Sequence, residues 1–327
     1  MARDMRAIGL FSGGLDSIIA AEVIRRLGIE TILVTFYSPF FGTLRAEEAA
    51  HRLGQNLLTF DITHDFIRML PRPRYGYGKN MNPCIDCKGL IFRRAGELMS
   101  ELDADFIFSG EVLGQRPMSQ NRQSLHIVAK LSGYEDYILR PLSARLLPPP
   151  LVLRDGRLDV NSLYDITGRG RQRQMQLAEQ FGITDYPTAA GGCRLTEPAF
   201  ARRLRRLYET EPTPPVRLIE LLKFGRHVRL GENLTLVVGR TESENAAIER
   251  LAAEPDTLLR VIGFMGPTGL LTAPCSRDEI RMAASIVARY SDAPQLERVE
   301  VEVIQAGQRQ DVLVLPIDPD EVQGLLV

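Results

Sequence analysis

The stretch Ala7-Ile8-Gly9-Leu10-Phe11, then Ser12-Gly13-Gly14-Leu15-Asp16-Ser17, then Ile18 to Leu27 decides how the rest of the chain is read. The first five residues suit a buried strand, and apolar positions from Ile18 onward recur at helical spacing, so the hexapeptide between them is a tight strand-to-helix loop. After Gly28 the β-branched run Thr31 to Phe36 predicts a second buried parallel strand, followed by a helix over Ala46 to Leu53 and a strand over Leu57 to Ile62. A helix over Leu90 to Leu102 and a strand at Asp105-Phe106-Ile107-Phe108-Ser109-Gly110 continue the alternation. The pattern predicts an α/β fold with a doubly wound parallel sheet.

The 327 residues are about twice the ~150 of a typical domain, which predicts two. Glu211-Pro212-Thr213-Pro214-Pro215, after a basic helix over Phe200 to Tyr208, places the boundary: residues 1–210 form one domain and 211–327 a smaller α+β domain. Pro148-Pro149-Pro150 reads as an irregular edge of the first. A charged fraction of 25% with 44% hydrophobic residues excludes a disordered or collagen-like chain. No apolar run approaches the roughly 20 residues of a membrane span, and Met1-Ala2-Arg3-Asp4-Met5-Arg6 does not lead into a secretory segment, so a cytoplasmic protein without membrane attachment is expected. The net charge of -1 argues against a uniformly basic nucleic-acid coat.

The hexapeptide carries the first chemistry. Glycines let backbone N–H groups approach phosphate oxygens at the positive end of a helix, and Ser12 and Ser17 add hydroxyl donors. Asp16 would repel phosphate unless a magnesium ion lies between them, so a metal nucleotide is expected. The chain contains no Walker A ending. Four cysteines are too few for a disulfide scaffold, and Cys84 and Cys87 form a Cys-x-x-Cys pair before the helix at Leu90, where the dipole and Lys88 favour thiolate. Cys193 lies in Ala189-Ala190-Gly191-Gly192-Cys193-Arg194, a small-residue loop able to approach the pair. A redox pair, a zinc site completed by Cys193 with His51, His126 or Cys275, and a three-cysteine iron-sulfur cluster with one open iron all fit these residues. Cys275 reads as a structural thiol beyond the boundary.

Ser12, Gly13, Gly14, Asp16 and Ser17 resemble the Ser-Gly-Gly-x-Asp-Ser loop of the N-type ATP pyrophosphatases, the PP-loop enzymes. That superfamily includes tRNA thiolases, GMP synthetase, NAD synthetase and argininosuccinate synthetase. The resemblance implies an adenine nucleotide alpha-hydrolase-like fold, ATP with Mg2+, and adenylylation of a substrate oxygen with release of pyrophosphate. Ser109-Gly110-Glu111-Val112-Leu113-Gly114-Gln115, with Ser119-Gln120 after it, resembles the Thr-Gly-Glu-x-Leu-Gly-Gln...Ser-Gln segment of 4-thiouridine synthetases, and Arg140-Pro141-Leu142 is similar to another family segment. Gly110, Glu111 and Gln115 are thereby implied in nucleotide or uridine contact. The Cys-x-x-Cys and the later single cysteine are similar to those of cluster-dependent 4-thiouridine and 2-thiouridine synthetases, which implies a [4Fe-4S] cluster on Cys84, Cys87 and Cys193. The match covers roughly residues 7 to 200. It leaves no room for the THUMP module or a rhodanese domain, which implies cluster-bound sulfide, supplied as inorganic sulfide or by a cysteine desulfurase.

Lys223-Phe224-Gly225-Arg226-His227-Val228-Arg229-Leu230, followed by Val237-Val238-Gly239-Arg240-Thr241-Glu242-Ser243-Glu244-Asn245, resembles the RNA-binding region of NFACT proteins. Lys223, Arg226, Arg229 and Arg240 would position RNA through its phosphates, and His227 would stack or bond there. Arg202, Arg203, Arg205 and Arg206, with Arg169, Arg171 and Arg173, would extend a basic track. The expectation is an ATP-dependent tRNA sulfurtransferase forming 4-thiouridine, with 2-thiouridine synthesis or an ammonia-using PP-loop ligase as alternatives; a homodimer is left open.

Overall fold

The structure, a computed structural model, describes residues 5–186, 192–295 and 297–327. Contacts divide the chain into two compact units at Thr196/Glu197. The boundary expected at residue 211 therefore moves to the near side of the basic helix. The reason lies in that helix's own side chains: Arg203 donates to the carbonyls of Leu222 and Gly225 (3.0 and 3.2 Å), and Arg206 to those of Gly231 and Glu232 (both 2.9 Å).

The first unit runs β1 (Arg6–Leu10), α1 (Leu15–Arg26), β2 (Glu30–Tyr37), α2 (Leu44–Arg52), β3 (Leu57–Asp61), α3 (Thr63–Met69), α4 (Cys84–Glu101), β4 (Phe106–Ser109), α5 (Arg122–Ser132), β5 (Ile138–Leu139), α6 (Leu151–Arg154) and α7 (Gln172–Gln180). Its strands form a parallel sheet in the order β3-β2-β1-β4-β5, as the alternation predicts. Gly9 pairs in register with Leu33 on one side and Phe108 on the other. Ile8, Leu33, Phe106 and Ile107 are fully buried, as expected where helices cover a parallel sheet on both faces. The helix read from Leu90 begins at Cys84, with Pro83 just before it. Gly89 and Gly96 interrupt its apolar pattern but bring α5 and the chain after it close, since side chains there would meet Leu131 and Tyr134.

The second unit runs α8 (Pro198–Thr210), α9 (Val216–Leu221), β6 (Arg226–Arg229), β7 (Thr235–Val238), α10 (Glu242–Leu251), β8 (Thr257–Val261), β9 (Gly269–Leu271), α11 (Arg277–Arg289), β10 (Val299–Gln305), β11 (Gln308–Val314) and α12 (Pro319–Gln323). Its sheet is antiparallel, ordered β11-β10-β8-β9-β7-β6, so the smaller domain is α+β as read. In β10, Val299, Val301 and Val303 face a core built on α11, while Glu300 and Glu302 face outward. Among the described residues no helix is long and apolar enough to cross a membrane.

Around β1 the strand order runs one way through β2 and β3 and the other through β4 and β5. Chains leaving the carboxyl ends of β1 and β4 therefore part, and such a switch point opens a crevice suited to a ligand. The two loops touch at its base: a Cβ on Gly110 would lie 2.5 Å from the Asp16 carbonyl and the Ser17 nitrogen. Gly110→Ala must push them apart, which is expected to lower the urea unfolding free energy of the first unit by about 1–3 kcal/mol. An unchanged urea midpoint would mean the loops do not meet as described.

Candidate active site

The crevice is a cleft of about 650 Å³, within the range of small-molecule sites. Its floor is the loop after β1. Gly13 has φ +69, and a side chain there would fall on the Arg45 carbonyl at the start of α2, so this position requires glycine. The Ser17 hydroxyl donates to the Gly14 carbonyl (2.8 Å) and lies 3.2 Å from the Ser12 hydroxyl, bracing the loop from within. The first N–H groups of α1 have no partners within the helix, and with its positive end they suit phosphate oxygens. Ser12, Gly14, Asp16 and Ser17 line the cleft, as do Gly110 and Glu111 from the loop after β4.

Asp16 is held rather than free. Gln115 Nε2 donates to its Oδ2 (2.7 Å), Gln174 Nε2 donates to Gln115 Oε1 (3.3 Å), and Arg171 Nη2 stands 3.8 Å from the same carboxylate. Oδ1 is buried without a hydrogen-bond partner. Burial raises the carboxyl above its ordinary range despite Gln115 and Arg171, which oppose the shift. A buried carboxylate with an unsatisfied oxygen beside a phosphate-binding loop fits a divalent cation. Gln115, expected at the nucleotide, is bonded to Asp16 and is not itself among the residues lining the cleft. Sequence reading missed Gln174, one of several polar residues on α7, and placed Arg171 in a basic track when it lines this cleft.

The opposite wall is α4. Cys84, Cys87 and Lys88 share one face of its first turn, and all three line the cleft together with Cys193. Asp86 locks this turn by accepting from the backbone of Arg74 (2.8 Å) and Tyr75 (3.0 Å), and Asn82 Nδ2 donates to Cys84 Sγ (3.3 Å). The Cys193 segment is tied down where Arg194 N donates to the Phe40 carbonyl (3.0 Å). Ala189, Ala190 and Gly191 of the loop expected to carry it lie outside the described residues. Burial pushes the Cys87 thiol above its ordinary range; Cys193 and then Cys84 push it further, outweighing Lys88. The thiolate expected from the helix dipole is thus overridden at Cys87, and a metal binding there must displace a proton.

Among the described residues no group of three or more His, Cys, Asp or Glu side chains could hold a metal ion as placed. The three cysteines are gathered into one cleft, yet not around a single-ion position. In a cluster each thiolate takes its own iron, and three thiols lining one cleft have the donor chemistry of such a set. Of the other ligands named for a zinc site, His51 and His126 are not among the residues lining this cleft, and Cys275 lies in the second unit beside Thr257.

Glu111 does not reach into the cleft as an unengaged carboxylate. It is buried, with Oε1 on Lys88 Nζ (2.5 Å) and Oε2 on Arg140 Nε (2.9 Å). Burial alone would raise its carboxyl, but the Lys88 and Arg140 charges and hydrogen bonds together hold it below the ordinary range.

In the second unit the expected RNA contacts divide. Lys223 pairs with Glu220 (2.6 Å), Arg240 forks onto Glu244, Arg226 stacks over Tyr290 at 4.5 Å, and Arg229 Nε donates to the Gly231 carbonyl (3.3 Å). Of the basic track, Arg202 and Arg205 are exposed, Arg203 and Arg206 bond backbone carbonyls, and Arg173 pairs with Asp165. His227 is a correction: it is 3% exposed, and its Nε2 is engaged with the Phe224 carbonyl (3.1 Å), so it cannot stack on a surface RNA.

Residues 3–145 match the family described as "Thiamine biosynthesis protein (ThiI)", and residues 225–325 match the "NFACT protein RNA binding domain". A probable tRNA sulfurtransferase of Methanosarcina mazei is 30% identical over 135 residues, 37% of this chain and 31% of that protein. A tRNA-specific 2-thiouridylase MnmA of Pelobacter propionicus is 28% identical over 154 residues, 44% of this chain and 43% of that one. The MnmA of Methylobacterium nodulans is 21% identical over 281 residues, covering 79% and 68%. The chain therefore spans less than half the length of the first two.

Burial pushes the His227 imidazole down to about 3, with the Arg203 charge adding to it. Folding holds this group below its ordinary value of 6.5, so as pH falls the unfolded chain takes up the proton first. Stability present above pH 6.5 is lost progressively toward pH 3. His227→Gln is expected to remove on the order of 4 kcal/mol of that acid-side loss from the second unit's urea transition. Equal pH slopes in variant and parent would contradict the burial of a neutral ring.

Proposed function

We propose that the chain is an ATP-dependent tRNA uridine sulfurtransferase that adenylylates a uracil carbonyl oxygen and replaces it with sulfur. The observation that carries this reading is that Cys84, Cys87 and Cys193 line the same cleft as the nucleotide loop. An ammonia-using PP-loop ligase would have no need of those thiols. The similarity of residues 3–145 to the ThiI family and of residues 225–325 to an RNA-binding domain supports a tRNA substrate.

A carbonyl oxygen is a poor leaving group, and attaching AMP to it converts it into a good one. In this reading the loop from Ser12 to Ser17 holds the ATP phosphates, Gly110 lets the second loop close beside them, and Asp16 holds Mg2+. Gln115, Gln174 and Arg171 orient that carboxylate. Cys84, Cys87 and Cys193 would hold a [4Fe-4S] cluster, which when bound supplies an iron with an open coordination position for sulfur. The apolar wall formed by Phe36, Phe66 and Phe92 keeps bulk water from hydrolysing the activated uridine. Sulfur comes as sulfide or from a cysteine desulfurase, and exposed Arg202, Arg205 and Arg229 of the second unit steer the RNA.

Replacement at oxygen 4 is the first choice, and replacement at oxygen 2 is the alternative that the MnmA relatives favour. Anaerobically reconstituted protein incubated with unmodified tRNA, Mg-ATP and sulfide is expected to form 4-thiouridine with one AMP and one pyrophosphate per sulfur, read by nucleoside mass spectrometry. Cys84→Ala should abolish the product. A 2-thiouridine product would select the alternative. No thionucleoside, or sulfur exchange without ATP, would reject the proposal.

A further inference from the structure

Lys88 is a cationic side chain on the helix that carries two of the three thiols, one residue beyond Cys87 and on the same face. Its neighbours Arg93 and Arg94 are committed elsewhere: Arg93 donates to the Leu131 carbonyl (2.8 Å), Arg94 pairs with Asp65 and Glu97, and neither lines the cleft. Lys88 instead binds Glu111 Oε1 (2.5 Å), and Glu111 follows Gly110, which abuts Asp16 and Ser17. The ammonium therefore stands where the thiol wall meets the nucleotide loop.

The charge count there is unbalanced. One carboxylate, Glu111, serves two cations, Lys88 and Arg140. Arg140 is further fixed by its Nη2 bond to the Leu125 carbonyl (3.3 Å) and its stacking over Phe92 at 5.6 Å. The side chains of Arg140 and Glu111 are 8% and 9% exposed, and that of Lys88 is 20% exposed. The surplus positive charge thus sits on the member that opens to the cleft, and surplus charge in a part-buried site calls for an anion.

We propose that Lys88 is the catalytic cation that stabilises the charge developing on the α-phosphate of ATP in the transition state, and that Glu111 and Arg140 are its positioning residues. This rests on the sulfurtransferase reading. In the first step the uracil oxygen forms a bond to the α-phosphorus, the bond to the bridging α–β oxygen breaks, and pyrophosphate leaves with that electron pair while the ring N–H proton is released. In the second, hydrosulfide adds to the activated carbon and the carbon–oxygen bond breaks with its electrons going to AMP. The hydrosulfide proton ends on the ring nitrogen. Negative charge grows at the α-phosphate oxygens in both steps, and the sulfur must approach the carbon attached to that phosphate. A fixed cation one residue from the thiols can meet both demands, whereas Arg171 stands 3.8 Å from the Asp16 carboxylate.

The test compares the parent with Lys88→Met, Lys88→Arg and Glu111→Gln, all reconstituted with iron and assayed for pyrophosphate release and thiouridine formation on tRNA. Lys88→Met is expected to lower kcat by roughly 100- to 1,000-fold, the loss typical of a removed electrostatic stabiliser. KM for ATP and iron per chain should hold within threefold, Lys88→Arg should recover part of the rate, and Glu111→Gln should lower kcat with KM for ATP held. A Lys88→Met enzyme within threefold of an active parent overturns this assignment alone. So does a variant that loses rate only in proportion to lost iron, or failure of Lys88→Arg to exceed Lys88→Met. A parent that makes no thiouridine overturns the sulfurtransferase reading, and this one with it.

Discussion

The first unit depends on the reversal of strand order at β1. With β2 on one flank and β4 on the other, the chain segments leaving Leu10 and Ser109 start side by side in register and then diverge. Glycine makes that start possible: Gly13 passes under the Arg45 backbone, and Gly110 rests on Asp16 and Ser17. Both carboxylates of the cleft, Asp16 and Glu111, hang from these two departures. Asp16 is placed by one loop and reached by Gln115 from the other; Glu111 is placed by the second loop and joins α4 to the exit of β5. Removing one partner from a buried charge network of this kind typically costs 3–5 kcal/mol, so Glu111 stabilises the wall as well as orienting it.

The same arrangement divides charge across the cleft. On the α1 side, a buried carboxylate raised by desolvation sits against a glutamine and an arginine. On the α4 side, a buried carboxylate is held low by two cations. Two acidic groups pushed in opposite directions within one cleft mark sites where cation and anion are each wanted. In the proposed reaction a metal nucleotide would bring both, the metal toward Asp16 and the phosphate toward Lys88. The thiols stand beside the second of these.

Local periodicity made the parallel sheet, the loop after β1 and the antiparallel second unit legible, because each strand and helix carries its own pattern. Contacts that depend on packing between distant segments were not legible. Gln174 sits in a polar amphipathic helix and Arg171 just before it, with no motif around them, and nothing local reveals that they face Asp16. His227 lies among arginines in a strand where two successive residues, His227 and Val228, are both buried, so no alternation marks its ring as inside. The start of α4 was read six residues late because Gly89 broke the apolar pattern, whereas in three dimensions that glycine admits Leu131. The short strand Gly269–Leu271 is likewise hidden in a run of glycine and proline.

The central claim is that sulfurs from Cys84 and Cys87 and from Cys193, more than a hundred positions further along the chain, act as one ligand set beside the nucleotide loop. Iron and sulfide analysis of anaerobically reconstituted protein, parent against Cys193→Ser, tests it most directly. The account predicts about four irons and about four sulfides per parent chain and a collapse of both in the variant. A parent without iron, or a Cys193→Ser chain that retains its full complement, would contradict it.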